Sequence, residues 1–163
     1  FKGTVEENLR MAKPDATEAE MNTVLEKVNL LGFLQTQDGL QTKLLEKAGN
    51  LSGGQCQRLA IARALLRDSA VYIFDEAASN IDVESEELIM EVIHQLARTK
   101  TVLLISHRLA NVVNSDQIYF LKDGEIKESG KHEALMQLNS EYRHLYDCQM
   151  ALENYGKEEP LDV

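Results

Sequence analysis

Several features are absent from this sequence of 163 residues, and each absence excludes a class of protein. No run of apolar residues approaches the ~18 that a membrane-spanning helix needs, and no signal-peptide pattern is visible. Any membrane-spanning segment is therefore expected to lie outside this chain. Internal repeats and low-complexity segments are absent too. The composition, with 44% hydrophobic and 27% charged residues, is typical of one globular domain.

Cysteine and basic residues are scarce. The two cysteines, Cys56 and Cys148, lie far apart without metal-ligand spacing, which favours reduced thiols in a cytosolic protein. Acidic residues outnumber basic ones by 27 to 17, and the net charge of −10 argues against a basic nucleic-acid-binding face. Nucleotide binding stays open, because backbone N–H groups and one metal ion can hold phosphates.

A phosphate-binding P-loop is also absent. No G-x-x-x-x-G-K-[ST] pattern occurs in the sequence, so the chain has no lysine of that kind to hold the phosphates of a nucleotide. Any nucleotide-binding residues must be sought among other motifs.

The residues that are present predict helices near the start of the chain. The T-x-x-E patterns at 4–7 and 17–20 are capping boxes, and each predicts the start of a helix. The first helix is expected to end near Lys13 and Pro14, and the second at Gly32. Residues 33–50 are expected to form a loop with a short helical turn.

Two short apolar runs, at 71–74 and 101–105, predict strands buried on both faces of a parallel sheet. An amphipathic helical pattern at 88–96 lies between them, so the three segments predict a βαβ unit of an α/β sheet. Residues 117–128 predict a hairpin with an Asp-Gly turn, and a further helical pattern covers 131–152.

The stretch NLSGGQCQR, residues 50–58, opens a helical pattern that runs on past it. Ser52 and Gln55 fit an S-x-x-Q capping box, which would explain them by local structure alone. Gly53 and Gly54 each cost up to ~1 kcal/mol relative to alanine in a helix, and their bare backbone suits the close approach of another group. Exposed N–H groups at the positive end of the helix dipole, beside a serine hydroxyl, would suit a phosphate. A helix cap and an anion site are both compatible with these residues.

Three further polar residues follow the predicted strands. Asp75 and Glu76 come directly after the first strand and are expected to point in opposite directions, with different roles. One could bind Mg²⁺ through water and the other could orient an attacking water; capping the next helix is the alternative. His107 follows the second strand and is expected at the same sheet edge, where it could contact a phosphate oxygen or the attacking water.

Four segments occur in a fixed order: LSGGQ at 51–55, VYIFDE at 71–76, SNID at 79–82 and ISHR at 105–108. Together they resemble the nucleotide-binding domain of ATP-binding cassette (ABC) proteins over nearly the whole chain. The resemblance implies an α/β fold: part of a P-loop NTPase-like parallel sheet, an N-terminal helical subdomain and a C-terminal hairpin plus helices. It assigns residues 1–48 to the helical subdomain, continuing into the signature helix 52–67. Residues 68–152 would form the rest of the ATPase core and 153–163 a flexible tail.

The resemblance also implies roles for individual residues. Asp75 would hold Mg²⁺ through water, Glu76 would be the catalytic base, and His107 would be the switch histidine. Asp82 would belong to the D-loop, residues 79–82, and make a dimer contact. The signature residues, which would bind the γ-phosphate of ATP held by an opposite subunit, are Leu51, Ser52, Gly53, Gly54 and Gln55.

Two longer stretches indicate which class of ABC proteins the chain resembles. Residues 1–9, FKGTVEENL, and residues 106–136 resemble ABC exporters whose membrane domain precedes the ATPase domain in one polypeptide. This implies ATP and Mg²⁺ as cofactors, a second nucleotide-binding domain as partner, a fused transmembrane domain and no nucleic acid. The predicted location is the cytoplasmic face of the plasma membrane.

The sequence departs from the family pattern at several places. Cys56 stands where arginine or lysine is common, Ala78 where threonine is frequent, and the D-loop is SNID rather than the commoner SALD. The P-loop, the adenine-stacking aromatic residue and the Q-loop are missing. We therefore expect a C-terminal part of a longer exporter, which alone neither binds ATP tightly nor hydrolyses it. Unpaired strand edges predict that it self-associates.

Two alternatives are a soluble ABC ATPase of DNA repair or translation, and a non-catalytic docking module. The exporter-like residues 1–9 argue against the first. The presence of Asp75, Glu76 and His107 argues against the second.

Overall fold

The computed structural model describes residues 3–45, 49–79 and 81–155. Asn80 of the predicted D-loop and residues 156–163 of the predicted tail lie outside this part of the chain. The chain divides into two compact units, Phe1–Ile105 and Ser106–Val163. The predicted boundaries at 48 and 68 stay a prediction, and the last helix includes residues 153–155, the first three of the predicted tail.

The first unit contains five α-helices, one short 3₁₀ helix at Gly39–Gln41 and four strands among its described residues. The α-helices and strands are β1 Gly3–Thr4, α1 Val5–Arg10, α2 Glu18–Lys27, α3 Leu31–Gln35, β2 Lys43–Leu44, α4 Gly53–Leu66, β3 Val71–Asp75, α5 Val83–Ala97 and β4 Thr101–Ile105. The second unit contains β5 Ile118–Lys122, β6 Glu125–Gly130, α6 His132–Leu138 and α7 Glu141–Tyr155.

The predicted βαβ unit is confirmed. β3 and β4 pair in parallel, with Ile73 opposite Leu103 and Asp75 opposite Ile105, and α5 connects them. A parallel pair needs a crossover connection, which the amphipathic helix between the two apolar runs supplies. The α/β fold class is therefore confirmed, with its parallel strands, its N-terminal helices and its C-terminal hairpin plus helices.

The prediction that these strands are buried on both faces is wrong. Tyr72 and Phe74 are buried against the core of the first unit, but the opposite face is open. This apolar sheet face consists of Val71, Ile73, Leu103 and Ile105, which are 55%, 67%, 50% and 45% exposed. An apolar run that lacks alternation predicts that both faces are covered, whereas among the described residues only one face is covered.

Side chains from four helices form the core of the first unit. Leu9 of α1, Leu25 of α2, Leu59 of α4 and Ile89 of α5 are at most 1% exposed and belong to one cluster. Burying each of these side chains contributes about 1.5–3 kcal/mol to folding. This cluster fixes α4, whose N-terminus carries the signature residues, against α2 and α5.

Both predicted capping boxes at the start of the chain are confirmed. Thr4 and Thr17 cap α1 and α2, and each accepts the N–H of the glutamate three residues on. The predicted role of Gly32 is wrong, because α2 ends at Lys27 and Gly32 lies inside α3. The chain instead turns at Asn29, whose φ is 52°, because asparagine adopts the left-handed conformation more readily than most residues.

The capping box of α2 gives the stability of the chain a pH dependence. The Lys13 ammonium, followed by hydrogen bonds from Thr17, lowers the pKa of Glu20 from its ordinary 4.5 to about 2. A carboxylate with a lowered pKa stabilises the fold above pH 4.5, and this contribution is lost as the pH falls towards 2. Glu20→Gln should therefore destabilise the chain above pH 4.5, and the difference from the wild type should shrink on acidification.

Urea unfolding of the purified chain between pH 2 and pH 6 measures this difference. Glu26→Gln on the same helix controls for removing one negative charge. A destabilisation by Glu20→Gln that stays constant over this range would contradict the assigned ion pair.

In the second unit, the predicted hairpin is confirmed. β5 and β6 pair antiparallel, and Asp123 and Gly124 at the turn both have positive φ, 53° and 77°. Such a two-residue turn matches the twist of the strands. Glu128 of β6 accepts hydrogen bonds from the backbone N–H of Tyr142 at 3.0 Å and the hydroxyl of Ser140 at 2.5 Å. The hairpin thereby caps the start of α7.

Candidate functional site

The signature residues form the N-terminus of α4, as the capping-box interpretation predicted. Ser52 is the N-cap residue; its Oγ accepts the N–H of Gln55 at 3.1 Å, and the side-chain oxygen of Gln55 accepts the N–H of Ser52 at 2.9 Å. A serine hydroxyl can accept one hydrogen bond and still donate another. The exposed Ser52 can therefore cap the helix and donate to an anion at the same time.

The structure gives different reasons for glycine at the two signature positions 53 and 54. Gly54 is buried, and a Cβ atom there would lie 2.1 Å from Oγ and 2.4 Å from Cβ of Ser85 in α5. Gly53 is exposed, and a Cβ atom there would make only an ordinary 3.7 Å contact with Ile81. The expectation that both glycines leave room for an outside group is therefore wrong for Gly54, whose room is filled by Ser85.

Asp82 of the D-loop has a role within its own chain. It is the N-cap residue of α5, and its Oδ1 accepts the N–H of Ser85 at 2.8 Å. This backbone hydrogen bond lowers the pKa of Asp82, so the carboxylate is ionised at neutral pH. The start of α5 is thus fixed beside the start of α4, because Ser85 is also the residue packed on Gly54. The dimer contact assigned to Asp82 stays a prediction.

Asp75 and Glu76 differ in backbone conformation. Asp75 is the last residue of β3 and is exposed, whereas Glu76 follows the strand and has a φ of 48°. Strand alternation does not separate their side chains as expected, because the strand ends at Asp75. Hydrogen bonds hold Glu76 in its left-handed conformation: its N–H donates to the carbonyl of Ile105 at 3.0 Å, and its carbonyl accepts from Ser79 at 3.0 Å.

This conformation costs about 1–3 kcal/mol for a residue with a side chain, and such strain concentrates at functional sites. Glu76 is therefore a candidate site residue on structural grounds, independent of the motif that it belongs to.

Asp75 has the chemistry of a magnesium ligand. Mg²⁺ prefers carboxylate, phosphate and water oxygens, and protein sites often supply only one or two carboxylates. The residues at 3–45, 49–79 and 81–155 contain no cluster of three or more histidine, cysteine, aspartate or glutamate side chains arranged for a metal. A single exposed carboxylate at the end of β3 fits an ion held mainly by nucleotide phosphates.

His107 is exposed and lies in the second unit, two residues after the end of β4. Gln149 of α7 holds the backbone on both sides of Arg108. Its side-chain amide donates to the carbonyl of His107 at 2.7 Å and accepts the N–H of Leu109 at 2.9 Å. Gln149 could not be found from the sequence, because nothing in its local pattern distinguishes it from other polar residues of a helix. The interaction of His107 with a phosphate or water stays a prediction.

Comparisons with known proteins agree with these motifs. The family described as "ABC transporter" matches residues 2–79. An "Uncharacterized ABC transporter ATP-binding protein" of Haemophilus influenzae is 52% identical over 153 residues, which are 94% of this chain and 27% of that protein. An "ATP-dependent lipid A-core flippase" of Neisseria meningitidis is 40% identical over 146 residues, 89% of this chain and 24% of the flippase.

One solved structure, a bacterial Atm1-family ABC exporter with ATP bound, has a TM-score of 0.83 and 30% sequence identity. The match covers 91% of this chain and 26% of the exporter chain. The chain thus spans about a quarter of the length of the proteins that it matches. None of the helices in the described part of the chain is long and apolar enough to cross a membrane.

Proposed function

Since this chain belongs to the ABC transporter family, we propose that it forms part of the ATPase domain of an exporter, in which ATP binding and hydrolysis drive transport across a membrane. The observation that carries the proposal is the pair Asp75 and Glu76. Asp75, a carboxylate suited to magnesium, ends β3, and the next residue, Glu76, is held in a strained conformation by hydrogen bonds with Ile105 and Ser79. Backbone strain of this kind concentrates at functional sites, where a side chain must be held in a defined direction.

In the proposed reaction, Glu76 orients and deprotonates the water that attacks the γ-phosphate of ATP. Asp75 would hold Mg²⁺ through water, and a bound ion would supply neutralising charge at the phosphates. His107 contacts the γ-phosphate or the attacking water as the switch histidine. The backbone of His107 is suited to this role because Gln149 holds it at 2.7 Å.

The ATP molecule is proposed to be held by a second nucleotide-binding domain. Ser52 and Gly53 present an exposed hydroxyl and exposed backbone at the positive end of α4, and these groups would bind the γ-phosphate. The chain contains no P-loop sequence of its own. A complete site would therefore combine the signature residues of this chain with a P-loop from another domain.

The full-length transporter is proposed to be a homodimer or heterodimer of such domains, fused to transmembrane segments, with this chain at the cytoplasmic face of the plasma membrane. The names of the relatives support the transport role in this arrangement, because they include an ABC exporter and a lipid A-core flippase. No nucleic-acid partner is proposed, since the net charge is −10.

The purified chain by itself is expected to show no magnesium-dependent ATP turnover and to self-associate. Turnover requires a P-loop, and the exposed apolar side chains of the sheet face favour association in water. ATPase assays and light scattering measure the two properties on one sample. Turnover that is abolished by Glu76→Gln would contradict the first expectation, and a monomer that unfolds cooperatively would contradict the second.

A further inference from the structure

The loop after β4 is held by α7 at three consecutive residues. The side-chain amide of Gln149 donates to the carbonyl of His107 at 2.7 Å and accepts the N–H of Leu109 at 2.9 Å. One turn later on α7, Oε1 of Glu153 accepts from Nη2 of Arg108 at 3.1 Å. Residues four apart lie on the same face of a helix. One face of α7 therefore fixes the path of the chain through this loop.

The contacts from α7 differ in strength. The ion pair between Arg108 and Glu153 joins side chains that are 46% and 35% exposed, and ion pairs so exposed contribute little. Gln149 is partly buried and uses both ends of its amide, the NH₂ donor and the oxygen acceptor. The hold on the loop therefore depends mainly on Gln149.

Both partners of these hydrogen bonds are anchored in the second unit. At the start of α7, Tyr142 is fully buried, and its N–H donates to Glu128 of β6 at 3.0 Å. In the loop, Leu109 is buried and begins a short 3₁₀ helix, Leu109–Asn111, that contacts α7. The side chain of His107 is exposed. The loop thus presents an exposed imidazole from a backbone that α7 holds in place.

We propose that Gln149 is a positioning residue for His107, and that α7 controls ATP turnover by holding this loop. The inference rests on the proposed function, in which His107 contacts the γ-phosphate or the attacking water. Gln149 acts only through the backbone of His107 and touches neither group. A displacement of about 1 Å in a reacting group can cost up to about 10²-fold in rate, so the position of this backbone affects turnover.

The test uses the full-length transporter reconstituted in lipid, with kcat and KM for ATP as the readout. Gln149→Met keeps the length of the side chain and removes both hydrogen bonds. Gln149→Glu keeps the acceptor for the N–H of Leu109 but places a carboxylate oxygen against the carbonyl of His107. Gln137→Met and Gln137→Glu, at an exposed position of α6, are the matched controls.

Gln149→Met is expected to lower kcat about tenfold, with KM for ATP within twofold of the wild type. Gln149→Glu should lower kcat at least as much, because its carboxylate repels the carbonyl oxygen. Both variants of Gln137 should stay within twofold of the wild type. In a His107→Ala background, Gln149→Met should have no further effect, because the loss of kcat passes through the imidazole. A merely structural role of Gln149 would lower kcat by the same factor in both backgrounds.

Hydrogen exchange of the same samples separates release of the loop from unfolding. Gln149→Met should speed amide exchange over residues 107–112 relative to Gln137→Met, and exchange over α5 should be unchanged. Faster exchange over the whole domain would show that Gln149 supports the fold in general, and it would overturn the inference.

Equal kcat values for Gln149→Met and Gln137→Met would also overturn the inference, as would equal losses with and without His107. If His107→Ala itself keeps the kcat of the wild type, the proposed role of His107 fails and the inference falls with it. If His107→Ala lowers kcat and Gln149→Met does not, only the inference fails.

Discussion

Glu76→Gln in the full-length transporter is expected to lower ATP turnover by about 10²–10⁴-fold, the contribution typical of a general base. Glutamine has nearly the same shape as glutamate but cannot accept the proton of the attacking water. ATP binding should be retained, since the P-loop and signature contacts are unchanged. The measurement is steady-state ATPase activity together with equilibrium binding of ATP.

Glu87→Gln is the matched control, because Glu87 is an exposed glutamate on α5 and its loss removes the same charge. The control should keep turnover within twofold. Turnover of Glu76→Gln equal to that of the control would show that Glu76 is not the catalytic base.

The variant Glu76→Gly distinguishes the effect of losing the carboxylate from the effect of the strained backbone conformation. Glycine adopts a φ of 48° without steric cost, so the variant should lose turnover as fully as Glu76→Gln, while the relief of backbone strain offsets stability lost with the side chain. A drop in unfolding temperature for both variants would instead indicate that Glu76 has a structural role.

The second large effect is expected at the signature glycines. Gly54→Ala should destabilise the protein by about 1–3 kcal/mol, because its Cβ would lie 2.1 Å from Oγ of Ser85 and one of the two helices must move. Turnover should fall as well, since α4 and α5 carry Ser52 and Asp82. Gly53→Ala should cost less than about 0.5 kcal/mol, because the nearest atom to its Cβ is 3.7 Å away. Thermal unfolding and ATPase activity of the two variants measure the difference.

Ser85→Gly provides a compensation test. Removing both side-chain atoms of Ser85 opens the space that alanine at position 54 needs, so the double variant should be more stable than Gly54→Ala alone. Equal instability of the double variant would indicate that Gly54 is required for a reason other than its contact with Ser85. Gly32→Ala in α3, where a Cβ atom would meet nothing within 4 Å, controls for the helix propensity of alanine.

Features of the fold that depend on neighbouring residues could be predicted from the sequence. The capping boxes at Thr4, Thr17 and Ser52, the Asp-Gly turn and the two strands with their connecting helix all appear where the pattern indicated. In each case the deciding interaction joins residues three or four apart, or depends on a local run of apolar residues.

Features that depend on distant residues were missed. Ser85 leaves no room for a side chain at position 54. The backbone of His107 is held by Gln149, which lies 42 residues later. The exposed face of β3 was also unpredictable, because a continuous apolar run does not specify which of its faces this chain covers. The end of α2 is a local feature, but it lies before Gly32 because Asn29 adopts the left-handed conformation first.

The two hydrogen bonds that Gln149 makes, one as donor and one as acceptor, mean that the loop after β4 depends on a residue beyond all four motifs. Glu128 anchors the start of the helix that carries Gln149. A protein truncated before Gln149 would keep all four motifs and lose both of these hydrogen bonds. The backbone on both sides of Arg108 would then lose its support, although the motif that contains His107 would be complete.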